Sequence, residues 1–121
     1  DGNDAARWNL LHPTDKPRAS YVEQCLKPTQ GPVIASTDYV RAFAEQIRPF
    51  VGRRYTVLGT DGFGRSDTRE KLRHFFEVDR HWIVIASLTA LADEGALERG
   101  RVTEAIKQYG LDPAKPNPLT V

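Results

Sequence analysis

From Tyr55 to Glu70 the chain passes from a short apolar run through glycines and into residues that start helices: Tyr-Thr-Val-Leu-Gly-Thr-Asp-Gly-Phe-Gly-Arg-Ser-Asp-Thr-Arg-Glu. Tyr55 to Leu58 have strand character; Gly59, Gly62 and Gly64 allow a sharp bend; Ser66 and Asp67 stand where a helix begins. A strand, a glycine turn and a helix start in this order constrain the chain to α/β architecture. They also mark a place where such folds build sites, because bent backbone and helix N-termini attract anions. The turn either binds a ligand or only shapes the chain.

The rest of the chain supplies the partners of this unit. Residues 1–19 read as irregular, with Pro13 and Pro17 against helix. Ser20 caps a helix through Leu26, with Tyr21, Val22 and Cys25 on one side. Val33 to Ala35 form a brief strand, and Ser36, Thr37 and Asp38 supply caps for a single helix carrying Val40, Phe43, Ala44, Ile47 and Val51, disturbed at Pro49. The second strand is Tyr55 to Gly59. Asp67 and Glu70 read as a capping box for a helix from Thr68 to Phe76. Asp79 caps Arg80 to Glu94, an almost wholly apolar helix that should be deeply buried and stop at Gly95. A last helix contains Val102, Ala105, Ile106 and Tyr109 and ends at Gly110; the proline-bearing tail beyond it should be extended.

Strand, helix, strand in this order requires a parallel pair with a right-handed crossover. Two parallel strands make a poor sheet alone, because parallel sheets occur buried among further strands. Upstream strands are therefore expected to be absent from this chain. The lack of any methionine, even at position 1, points the same way, to one domain that is a fragment of a longer protein.

Composition narrows the function. A net charge of +1, with bases and acids interleaved, argues against nucleic acid as a partner. The longest apolar run, Trp82 to Ala86, is far short of the roughly 20 residues of a membrane helix. Cys25 is the only cysteine and fits a buried, inert thiol, so a reducing cytoplasmic setting is expected. The turn is not a Walker loop, since no Lys-Ser or Lys-Thr pair follows it; Gly62 and Gly64 begin a GxGxxG pattern, but position 67 is Asp. Arg65, Ser66 and Asp67 remain as an interface or anion contact, although Asp61 and Asp67 would repel phosphate. His12, His74 and His81 lack metal-ligand spacing, and no catalytic constellation, cofactor site or metal site can be assembled from these residues.

Three strings carry a resemblance: Arg7-Trp8-Asn9-Leu10-Leu11-His12-Pro13, Ser36-Thr37-Asp38-Tyr39, and Gly59-Thr60-Asp61-Gly62-Phe63-Gly64-Arg65-Ser66-Asp67-Thr68-Arg69-Glu70, followed by Leu72-Arg73-His74-Phe75-Phe76-Glu77-Val78-Asp79. In this order they resemble the C-terminal, transketolase-like domain of the homodimeric pyruvate dehydrogenase decarboxylating component of bacteria. The resemblance implies a thiamine-diphosphate and magnesium enzyme that decarboxylates pyruvate and reductively acetylates the lipoyl group of dihydrolipoyl acetyltransferase. It implies three partners: the upstream domains of the same enzyme, a homodimer mate and the acetyltransferase. The family's catalytic histidines, its cofactor-activating glutamate and the opening strand–helix–strand of this domain all lie upstream of residues like these. The segment is thus expected to be structural, inactive alone and without cofactor. The alternatives are a stand-alone anion-binding or interaction module, and the counterpart from 2-oxoglutarate dehydrogenase.

Overall fold

The computed structural model describes residues 1–121. Its elements in chain order are α1 (Gly2–Leu11), α2 (Tyr21–Leu26), β1 (Val33–Ser36), α3 (Arg41–Glu45), α4 (Arg48–Val51), β2 (Tyr55–Leu58), α5 (Arg69–Phe75), α6 (Arg80–Asp93) and α7 (Arg99–Gln108). β1 and β2 pair in parallel, with Val33 opposite Tyr55 and Ser36 opposite Leu58, and form a two-stranded sheet. The α/β reading of the sequence is thus met, down to the parallel pair.

Side chains alternate across a strand, and here the alternation assigns two faces. Tyr55 and Val57 are buried with Val51, and Val22, Leu26, Val33, Ala35 and Ala44 pack against them, so α2, α3 and α4 cover one face. Thr56 and Leu58 look the other way, toward Trp82, Ile85 and Ala90 of α6, against which α7 packs in turn. The arrangement is helix layer, sheet, helix layer.

Several local expectations are met for the stated reasons. Ser20 is 1% exposed and accepts from Glu23 N while Glu23 accepts from Ser20 N at 2.6 Å, a complete capping box. Asp79 Oδ1 accepts from Trp82 N at 3.0 Å and starts α6. Gly95 and Gly110 stop α6 and α7 at φ of +77° and +65°.

Others are corrected. Residues 2–11 are helical, because Pro13 bars helix only at itself and at the preceding His12, which leaves helical geometry at φ −129°. Gly2 is buried there, and a Cβ on it would stand 2.6 Å from Phe50 Cζ. The single helix expected over 40–51 is broken at Gln46 and Ile47. Pro49 cannot donate to the Glu45 carbonyl, and its ring crowds that oxygen, so the helix restarts with Pro49 in its first turn. Ser36, Thr37 and Asp38 do not cap it: the N-cap of α3 is Val40, and Thr37 Oγ1 instead accepts from Tyr39 N at 3.1 Å. Nor is there a capping box at Asp67 and Glu70; Thr68 is the N-cap of α5, accepting from Lys71 N. Cys25 is exposed rather than buried. In α6 only Ile85, Ala90 and Ala92 are fully buried. The tail folds back in turns, with Leu111 and Pro118 buried.

Candidate functional site

In open parallel sheets, ligand sites gather outside the carboxyl ends of the strands. Here that edge is formed by residues 37–41 after β1 and 59–68 after β2. The two segments are laced together. Thr37 N donates to Leu58 O at 3.0 Å and Thr60 N to Tyr39 O at 2.9 Å; the Thr60 hydroxyl donates to Asp38 O. Asp61 Oδ1 accepts from Arg41 N at 2.9 Å, and its other oxygen lies 3.5 Å from Arg41 Nε. Gly59 is required by this approach, since a Cβ there would meet Arg41 Cγ at 2.6 Å and Arg41 N at 3.0 Å.

Asp38 and Arg73 form the central ion pair, with Arg73 Nε 3.2 Å and Nη2 2.9 Å from the two carboxylate oxygens. The Arg73 hydrogen bond, with further help from the charges of Arg73 and Arg69, holds the Asp38 carboxyl below the usual carboxylate range. It lifts Arg73 in turn. On one side of this pair lies a cavity of about 810 Å³ bordered by Ser36, Arg69, Arg80 and His81. On the other lies a pocket of about 480 Å³ between the glycine loop and α5, with Leu72 and Phe76 on its apolar wall and Phe63, Arg65 and Arg69 on its rim.

The structure brings Arg65, Ser66 and Asp67 together around a shallow adjoining depression with Lys71 and Phe75. Arg65 lays its guanidinium over the Phe75 ring, 4.2 Å from the centroid, and Asp67 Oδ1 accepts from Thr68 N at 2.8 Å. Sequence reasoning missed Asp38 with Arg73, Arg69 and the pocket itself. Arg69 and Arg73 are one helical turn apart on α5, a spacing that puts both on one face. Their partner Asp38, 35 residues before Arg73, carries no such signal.

Most carboxylates near this edge are committed, and Glu70 and Asp67, which also border it, gather with no third acidic, His or Cys side chain to hold a metal ion. Asp38 pairs with Arg73, Asp61 with Arg41, and Asp79 with Trp82 N and His74 Nδ1. Magnesium-bound diphosphate needs free oxygen ligands. This donor set does not fit magnesium or the thiamine diphosphate it would hold. Ser36 is occupied as well, donating to Val78 O at 2.9 Å. Each histidine already has a partner: His12 stacks on Trp8, His74 meets Asp79, and His81, at the border of the larger cavity, stacks on Tyr109.

The chain is 73% identical over all its 121 residues to a pyruvate dehydrogenase E1 component of Cupriavidus necator. It is 63% identical over 120 residues to one of Pseudomonas aeruginosa and 50% identical over 119 residues to one of Escherichia coli K12, with 98% of the chain covered in each. It spans only 13–14% of the length of these relatives. The family model described as the transketolase-like TK C-terminal domain matches residues 5–79, which takes in most of α1, both strands and the strand-end edge. The chain therefore belongs to the transketolase-like C-terminal domain family.

Proposed function

We propose that this chain is the greater part of the C-terminal domain of a pyruvate dehydrogenase decarboxylating component. In that enzyme thiamine diphosphate and magnesium support decarboxylation of pyruvate and reductive acetylation of a lipoyl group on dihydrolipoyl acetyltransferase. The observation that carries this reading is the 73% identity spread over the whole chain to a relative about seven times its length, of which it covers 14%. The committed carboxylates of the strand-end edge support a structural role for the segment, with cofactor and catalytic groups on the upstream domains. The parent works as a cytoplasmic homodimer. Intact-mass measurement of the native source protein, followed by assay with pyruvate and with 2-oxoglutarate, tests the reading. A natural product of 121 residues, or turnover of 2-oxoglutarate in preference to pyruvate, overturns it.

A second reading rests on Arg65, whose guanidinium lies over the Phe75 ring and pairs with no carboxylate. Arg65, Ser66 and Asp67 then form an anion contact on a binding module. Calorimetry with phosphate, pyrophosphate and nucleotides decides it: binding lost in Arg65→Ala supports the contact, and silence with every anion retires it.

A further inference from the structure

Phe63 is 94% exposed, between Gly62 at φ +92° and Gly64. Leaving such a side chain in water forgoes the hydrophobic free energy that burying it would supply. The loop that presents it has a fixed base: Thr60 is bonded to Tyr39, Asp61 to Arg41, and Gly62 lies against Pro118 and Leu119. The segments touching the loop are themselves apolar and exposed, with Tyr39 72%, Phe43 63% and Leu119 45% accessible. Immediately beside Phe63 is the 480 Å³ pocket with its Leu72 and Phe76 wall. An aromatic knob next to an apolar hole, rimmed by arginines, has the composition of an interface centre.

The charge around the hole says what fits it. Its lining carries Arg65, Arg69 and Arg73 against Asp38 and Asp67. Asp38 and Arg73 neutralise each other, so Arg65 and Arg69 face Asp67 with one cation in excess. We propose that residues 59–68 are a docking loop, with Phe63 as its anchor, for a segment of the parent polypeptide outside residues 1–121 that presents an apolar side chain flanked by carboxylates. This inference rests on the parent enzyme proposed above. In a relative of which this chain covers 14%, most of the polypeptide lies outside the matched region. A tethered partner there docks at high effective concentration, so a weak intrinsic affinity suffices.

Amide hydrogen exchange of the peptide spanning 59–68, measured in the full-length parent enzyme, tests the docking. In the wild type these amides should exchange slowly, and Phe63→Ala should accelerate them by about tenfold or more, as expected when a docked loop is released. Arg69→Glu should accelerate them as well, by repelling the acidic flank. Equal exchange in wild type and Phe63→Ala overturns the docking. Acceleration by Phe63→Ala but not by Arg69→Glu overturns the acidic character of the partner. Protection that fades on dilution assigns the loop to a second molecule and overturns the intramolecular partner. A source protein of 121 residues removes the parent reading itself, whereas a long parent with an unprotected loop removes only this inference.

Discussion

Two glycines of the strand-end loop, both with negative or extended φ, separate shape from conformational freedom. Gly59 is held by contact: a Cβ would meet backbone atoms of Arg41 at 3.0 and 3.1 Å as well as its Cγ. Gly64 has open space around the same position. Gly59→Ala should cost about 1–3 kcal/mol, as forced overpacking does. Gly64→Ala should stay within about 0.5 kcal/mol of wild type, like other unconstrained surface changes. Urea denaturation of the two variants checks the contrast, and equal midpoints would count against the close approach. At the same edge, Asp38 titrates below its ordinary range because of Arg73, as Glu23 does because of the Ser20 amide and Glu45 because of Arg48. A carboxylate depressed in the folded state contributes stability above its unfolded pKa and loses that contribution as pH falls through its folded pKa. Unfolding midpoints should therefore fall on acidification through and below the ordinary carboxylate range, and Asp38→Asn should flatten that slope. Because these groups are exposed, each contribution is small.

Among the elements, the end of α5 departs most from common practice. Glu77 N donates to His74 O and Val78 N to Arg73 O, the bonding of a left-handed helix stop. Glycine usually takes that position, yet Glu77 occupies it at φ +63°. Its carboxylate has another use. Lys115 Nζ reaches back from the tail to Glu77 Oε1 and to Phe75 O, both at 2.9 Å, and lies over the rings of Phe75 and Trp82. With the Lys115 side chain only 16% exposed, this bridge pins the tail across the junction of α5 and α6. Lys115→Ala should cost about 1.5–3 kcal/mol, the range for hydrogen bonds to charged groups. It should also expose residues 112–121 to limited proteolysis ahead of global unfolding. A tail as resistant as the wild type's would show that Leu111 and Pro118 anchor it unaided.

For the whole molecule, the decisive fact is the narrow sheet. Two parallel strands leave an unpaired edge on each side, and only 12 of 121 residues are fully buried. Unpaired edges template pairing with other chains. The isolated 121-residue polypeptide should self-associate as concentration rises, and multi-angle light scattering across a dilution series checks this; a well-behaved monomer at high concentration would contradict it.

The sequence by itself determined the parts governed by neighbours along the chain. These are the two strands, the Ser20 capping box, the Asp79 cap and the glycine stops after α6 and α7, each set by residues within one or two turns. It also carried the family, because an ordered set of strings needs no coordinates to be read. Tertiary structure alone decided what depends on distant partners. Asp38 finds Arg73, Asp61 finds Arg41 and Lys115 finds Glu77 across 20 to 38 residues, and no local pattern encodes those encounters. The helix over residues 2–11 escapes a sequence reading because two later prolines dominate it, and Cys25 is misplaced because a six-residue helix has too few positions to fix its buried side. The glycine run from Tyr55 to Glu70 shows both limits. Its strand, turn and helix are legible from composition, but the exposure of Phe63 and the pocket beside it exist only once α5, the tail and residues 37–41 surround the loop.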